Sequence, residues 1–118
     1  ALQDAKRALK MYQTLNVPTL GIVENMSYYV CPKCGNRDEI FDCGGAEEAA
    51  RTLQVPFLGA IPLNSSLRAS ADSGQLEDNF MGSHEEITEA LEGIVTSFCN
   101  EVETVNASSA GAPTLTVE

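Results

Sequence analysis

The sequence predicts an α/β fold, the C-terminal part of a doubly wound domain built on a mostly parallel sheet. Three observations predict it. Two short apolar runs, residues 19–23 and 55–61, read as buried parallel strands. The segment between them is long enough for a crossover and contains a helical stretch, as a right-handed parallel β-α-β unit requires. Two such strands with about four helices do not make a stable sheet by themselves, because parallel sheets usually have more strands with both faces covered. The remaining strands are therefore expected upstream of Ala1.

Residues 2–15 read as an amphipathic helix. Leu2, Ala5, Leu9 and Tyr12 share one face, with Lys6, Arg7 and Lys10 on others. Pro18 disfavours helical geometry at Val17 and ends it. The first strand follows, then a polar, turn-rich stretch over residues 24–45. Ala46, Ala49, Ala50 and Leu53 mark a short helix over 46–53. Pro56 sits near the start of the second strand, where a missing N–H matters least. Asn64 is placed to cap a helix through about Ala71, and Gly74 to terminate it. Ser83 and Glu86 have capping-box spacing. Ile87, Leu91, Ile94 and Phe98 then form an apolar stripe, and this last helix is expected to end near Val102. The domain is expected over residues 1–103. Residues 104–118, small and polar, read as a disordered tail.

With 118 residues, 43% of them apolar, the chain suits one domain and is too short for two. No apolar run is long enough to span a bilayer. The charged N-terminus lacks the apolar segment of a signal peptide, and with no initiator Met the chain is expected to be a fragment or a processed product. The net charge is −10. All 7 basic residues lie in residues 1–68, and residues 69–118 contain no Lys or Arg. That acidic half repels nucleic acid and anionic membranes, so neither is expected as a partner. Without an export signal, the even count of four cysteines is no evidence for disulfides, and the close pair Cys31/Cys34 points instead to metal or redox chemistry in a reducing compartment, the cytoplasm.

The sharpest local feature is Cys31-Pro32-Lys33-Cys34-Gly35. Two cysteines three apart on a turn can aim both sulfurs at one metal, and nearby amides stabilise thiolate charge. A zinc site or a [4Fe–4S] cluster wants about four ligands. The others would come from Cys43 and one more group, or from a second copy of the chain across a two-fold axis. A thioredoxin-like redox pair fits less well, because there the motif opens a helix, whereas Asn36, Arg37 and Asp38 continue a polar turn. Cys43 reads more simply as a small residue before a Gly turn, Cys99 as a core or boundary residue, and His84 as a solvated first-turn residue. Gly44-Gly45 could hold an anion at a helix start, although a tight turn is the simpler reading. Asn25 follows the first strand at its carboxyl end, the edge where open α/β sheets bind ligands. Its amide can match an adenine edge or make an Asx turn. Pro62 and Leu63 end the second strand on the same side. The sequence holds no Gly-x-x-x-x-Gly-Lys-Ser/Thr phosphate loop.

Taken together, the runs Val17-Pro-Thr-Leu-Gly-Ile-Val-Glu-Asn-Met-Ser-Tyr28, Cys31-Pro-Lys-Cys-Gly35, Ile40-Phe41, Gly44-Gly-Ala46 and Val55-Pro-Phe-Leu-Gly-Ala-Ile-Pro-Leu63 closely resemble the Mrp-type iron–sulfur cluster carrier ATPases. These are the Mrp/ApbC proteins and their Nbp/Ind relatives, within the deviant-Walker P-loop NTPases that include ParA and MinD. The resemblance covers about Leu2 to Gly74. It implies a homodimer that binds ATP with Mg²⁺ and passes a labile, subunit-bridging [4Fe–4S] cluster to apo iron–sulfur proteins. Carried over, it makes Cys31 and Cys34 cluster ligands and puts Asn25, Pro62 and Leu63 near the adenine. The phosphate loop and the hydrolytic residues would precede Ala1, so this chain alone is expected not to hydrolyse ATP. Asn64 stands where the family often has Asp, and Asp42-Cys43 replaces a commoner Gly-containing pair. Read from the residues alone, a Zn-stabilised interaction module using the same cysteine pair remains the alternative.

Overall fold

The computed structural model describes residues 1–31, 33–41, 43–80 and 85–108. The chain runs α1 (Leu2–Thr14), β1 (Ile22–Glu24), β2 (Tyr29–Val30), β3 (Arg37–Asp38), α2 (Gly45–Leu53), β4 (Phe57–Ala60), α3 (Ser65–Ser73), a 3₁₀ turn (Leu76–Asn79) and α4 (Glu85–Ser108). β1 and β4 pair in parallel, Ile22 opposite Phe57 and Glu24 opposite Ala60. The crossover between them contains α2, so the expected parallel β-α-β unit is present.

The ladder is shorter than the apolar runs, and Pro56 supplies the reason. It accepts from the Ile22 N–H at 2.9 Å but has no N–H to donate upstream, and pairing cannot extend toward Thr19. At the other end the Ile61 N–H donates to the Glu24 carbonyl at 2.8 Å, and the Ser27 N–H to the Ile61 carbonyl at 2.9 Å. The carboxyl ends of both strands are thereby held together where the candidate residues lie.

α4 packs on β4, α2 on β1, and α1 on α2. Leu9, Ala49, Ala50, Leu58 and Ile87 are buried in these contacts. The close approach of α4 requires Gly59. A Cβ there would sit 2.6 Å from Ile94 Cγ1, and its φ of +149° disfavours any side chain. Asn64 caps α3 as expected, its Oδ1 accepting from the N–H groups of Ser66 and Leu67 at 2.7 and 3.3 Å. Gly74 ends the helix in the left-handed conformation.

Three features differ from the sequence reading. The antiparallel pair β2–β3 lies inside the stretch read as turns. α4 continues to Ser108, so the first residues of the expected tail are helical. Residues 103–108 contain neither Gly nor Pro, and half-buried Val102 and Val105 prolong the apolar stripe. Phe98 and Cys99 are exposed on this helix, so Cys99 is not a core residue. Ser83, His84 and residues 109–118 lie outside the described residues.

Candidate functional site

The cysteine pair stands at the turn of the β2–β3 hairpin. Val30 faces Arg37 across the ladder. The Cys31 N–H donates to the Asn36 carbonyl at 2.9 Å, and the Gly35 N–H to the Cys31 carbonyl at 2.8 Å. Gly35 takes the left-handed φ of +71° that this tight return needs. Cys31 is half-buried, Cys34 is exposed, and both are free thiols. The backbone N–H groups of Lys33 and Cys34, with the Cys34 thiol, hold the Cys31 thiol below the usual cysteine range. The arrangement favours a thiolate, the form that binds metal. Among the described residues, no three His, Cys, Asp or Glu side chains gather into a metal site. Beneath the hairpin lies buried Tyr28, with the Arg37 guanidinium 3.7 Å from its ring centroid.

The base of this loop is held by Glu24, whose role the sequence reading missed. One carboxylate oxygen accepts from the Ala46 N–H at 3.0 Å. The other accepts from the Ser27 hydroxyl at 2.5 Å and the Gly44 N–H at 3.3 Å. Gly44 is the N-cap of α2 and has no side chain to cap with. Glu24 supplies the missing cap from twenty residues upstream and places a negative charge at the positive end of the helix. The anion at this Gly-Gly helix start is thus an internal carboxylate. Ser27 is buried, and its hydroxyl lies 3.2 Å from the Cys43 thiol. Cys43 therefore faces Ser27.

Burial pushes the Glu24 carboxyl up, but the bonds from Ser27, Ala46 and Gly44 outweigh it and leave it below its ordinary 4.5. A carboxylate with a depressed folded pKa stabilises the fold fully above its unfolded value and loses that contribution as pH falls through the folded one. Stability is expected to drop below about pH 4.5, and Glu24→Gln should remove part of that drop. Urea unfolding at stepped pH measures both.

Asn25 is exposed at the carboxyl end of β1, and its Oδ1 accepts from the Met26 N–H at 2.9 Å. It lines a cavity of about 410 Å³ with Val23, Met26, Phe41 and Ala46. Pro62 is buried after β4. Leu63 donates its N–H to the Tyr28 carbonyl at 2.6 Å and bridges to Tyr29. It lines a different cavity, of about 380 Å³, with Tyr29, Val30 and Asn64. All of these residues follow the carboxyl ends of the parallel strands, but Asn25 and Leu63 do not share one cavity.

Residues 1–99 match the family described as ParA, NUBPL iron-transfer P-loop NTPase. The iron-sulfur cluster transfer protein NUBPL of Mus musculus is 45% identical over 64% of this chain and 24% of its own length. The iron-sulfur cluster carrier protein of Escherichia coli K12 is 47% identical over 63% of the chain and 20% of its own. A cytosolic Fe-S cluster assembly factor NUBP2 homolog from Nematostella vectensis is 38% identical over 81% of the chain and 35% of its own. The chain thus spans a fifth to about a third of the lengths of these relatives. Among solved structures, a nucleotide-binding protein from Archaeoglobus fulgidus in complex with ADP superposes with a TM-score of 0.56 at 39% identity, over 63% of this chain and 30% of that one. With an α/β fold containing a parallel strand pair and a match over most of its length, the chain belongs to the NUBPL-type iron-transfer P-loop NTPases of the ParA family.

Proposed function

We propose that this chain supplies the cluster-holding loop and the base-side edge of an iron–sulfur cluster carrier that binds ATP and delivers a labile [4Fe–4S] cluster to apo-proteins. The observation that carries the proposal is the pair Cys31 and Cys34, both free at the turn of a hairpin just beyond the carboxyl end of the parallel strands. The names of the relatives support cluster transfer. They lend nothing to a zinc-stabilised module. Two thiolates per chain and a cluster that wants about four favour a homodimer with the cluster between its subunits. The cluster is cargo, so partial exposure of its ligands suits release.

ATP with Mg²⁺ would be held mainly by residues outside this sequence, which lacks a phosphate loop. Asn25 is the residue here with the right chemistry for adenine, since its amide both donates and accepts at the strand end. Pro62 and Leu63 would shape the neighbouring edge. Among the described residues no helix is long and apolar enough to cross a membrane. A reducing cytoplasm is the proposed setting.

The test uses the full gene product, reconstituted without oxygen. A brown protein with stoichiometric iron and sulfide is expected, and a colourless zinc-loaded one overturns the reading. In the same material Asn25→Ala should weaken nucleotide binding while leaving iron content intact. Losing a base-edge hydrogen-bond pair costs on the order of 1–3 kcal/mol, roughly one to two decades of affinity. Calorimetric titration beside an iron count reads both. Unchanged affinity with reduced iron would reassign Asn25 to support of the cluster loop.

A further inference from the structure

Glu24 touches both ends of the cysteine loop at once. Ser27 leads into the hairpin, and Cys43 and Gly44 lead out of it. The Glu24 carboxylate accepts from Ser27 and from Gly44, and the Ser27 hydroxyl reaches the Cys43 thiol. The same residue is the last of β1 and directly precedes Asn25. Its backbone carbonyl is bonded to the Ile61 N–H, which fixes it against β4. Three donors converge on one acceptor-only group, so a small shift of residues 24–26 strains contacts at both ends of the loop.

We infer that Glu24 is a positioning residue that couples the nucleotide-facing end of β1 to the cysteine pair, by making residues 24–26 and the base of the cysteine loop move as one body. The inference rests on the cluster-carrier reading given above. Coupling between two sites is a ratio of affinities and is reciprocal. Cluster loading must then change nucleotide affinity, and that change must pass through the carboxylate.

The experiment measures the dissociation constant of a fluorescent ADP derivative for the full gene product, with and without its reconstituted cluster. The wild-type ratio is expected to differ from one by about fivefold or more, at the lower end of measured allosteric couplings. Glu24→Gln preserves shape but offers one acceptor oxygen and an NH₂ that opposes an N–H or hydroxyl donor. Its ratio should collapse to near one, with iron load and cluster-free affinity retained. Where Glu24→Gln fails to fold, Ser27→Ala decides. It removes only the hydroxyl between Glu24 and Cys43, and its ratio should move at least halfway, on a logarithmic scale, from the wild-type value toward one. A purely structural role would lower the unfolding midpoint and leave the ratios alone, which overturns the inference. So does a wild-type ratio of one in protein that binds both cluster and nucleotide. A wild type that takes up no cluster at all fails the carrier reading itself, a separate and recognisable outcome.

Discussion

Replacing either Cys31 or Cys34 with alanine in the full gene product is expected to take the iron and sulfide load from stoichiometric to near zero. In the proposed dimer each substitution removes two of about four ligands, because the two-fold axis repeats it. The hairpin should survive the change. Its ladder and the turn bonds from Cys31 N–H and Gly35 N–H are all backbone. The loss is therefore chemical rather than structural, and circular dichroism of the variants should match wild type. Cys99→Ala is the control: Cys99 is exposed on α4, outside the hairpin, and should keep a full load. Cys43→Ala is expected to have a small effect, since the Cys43 thiol lies against Ser27. Full iron and sulfide in the Cys31→Ala, Cys34→Ala double variant would remove the pair from the cluster site.

Gly59→Val is expected to destabilise the fold strongly. Two costs act together. A side chain at φ +149° is strained by on the order of 1–3 kcal/mol. Its Cβ would also overlap Ile94 Cγ1, 2.6 Å away, and overpacking of this kind costs about 1–3 kcal/mol more. The Ile94 atom is close to the backbone of α4, so the helix itself must move. Gly74→Ala separates the two costs. Gly74 also has a positive φ, but nothing lies within 4 Å of the position its Cβ would take. It should lose only about 1 kcal/mol. Urea midpoints for both variants test the difference, and similar midpoints would show that α4 yields freely.

The sequence was most informative where one residue type determines the local geometry. Asn64 and Gly74 bracket α3 because an amide oxygen and a left-handed glycine do what few other residues can. Cys31 and Cys34 were legible because their spacing has few other uses. The hairpin was hidden: strands of two residues, Tyr29–Val30 and Arg37–Asp38, are too short to show alternation. Glu24 was hidden for another reason. A glutamate after Ile22 and Val23 reads as the place where a strand meets solvent. What makes it a clamp is the return of Gly44 and Ala46, fixed by the path of the whole crossover rather than by its neighbours. The end of α4 was misread from composition, because small polar residues weaken a helix without breaking it when valines still pack at helical spacing.

The borrowed cap on α2 also bears on the order in which this protein folds. A helix of nine residues is marginal in water on its own. This one receives its capping acceptor only after a loop of about twenty residues has closed, which carries an entropic cost of its own. α2 is thus poorly suited to act as a nucleus. It should gain its protection from hydrogen exchange late, together with the Ser27 end of the loop, and lose it in the same event. The end of β1 at Glu24, the first turn of α2 and the seat of the cysteine hairpin then form a single cooperative opening unit. Fluctuations of that unit would expose the base of the cysteine hairpin while β4 and α4 remain folded.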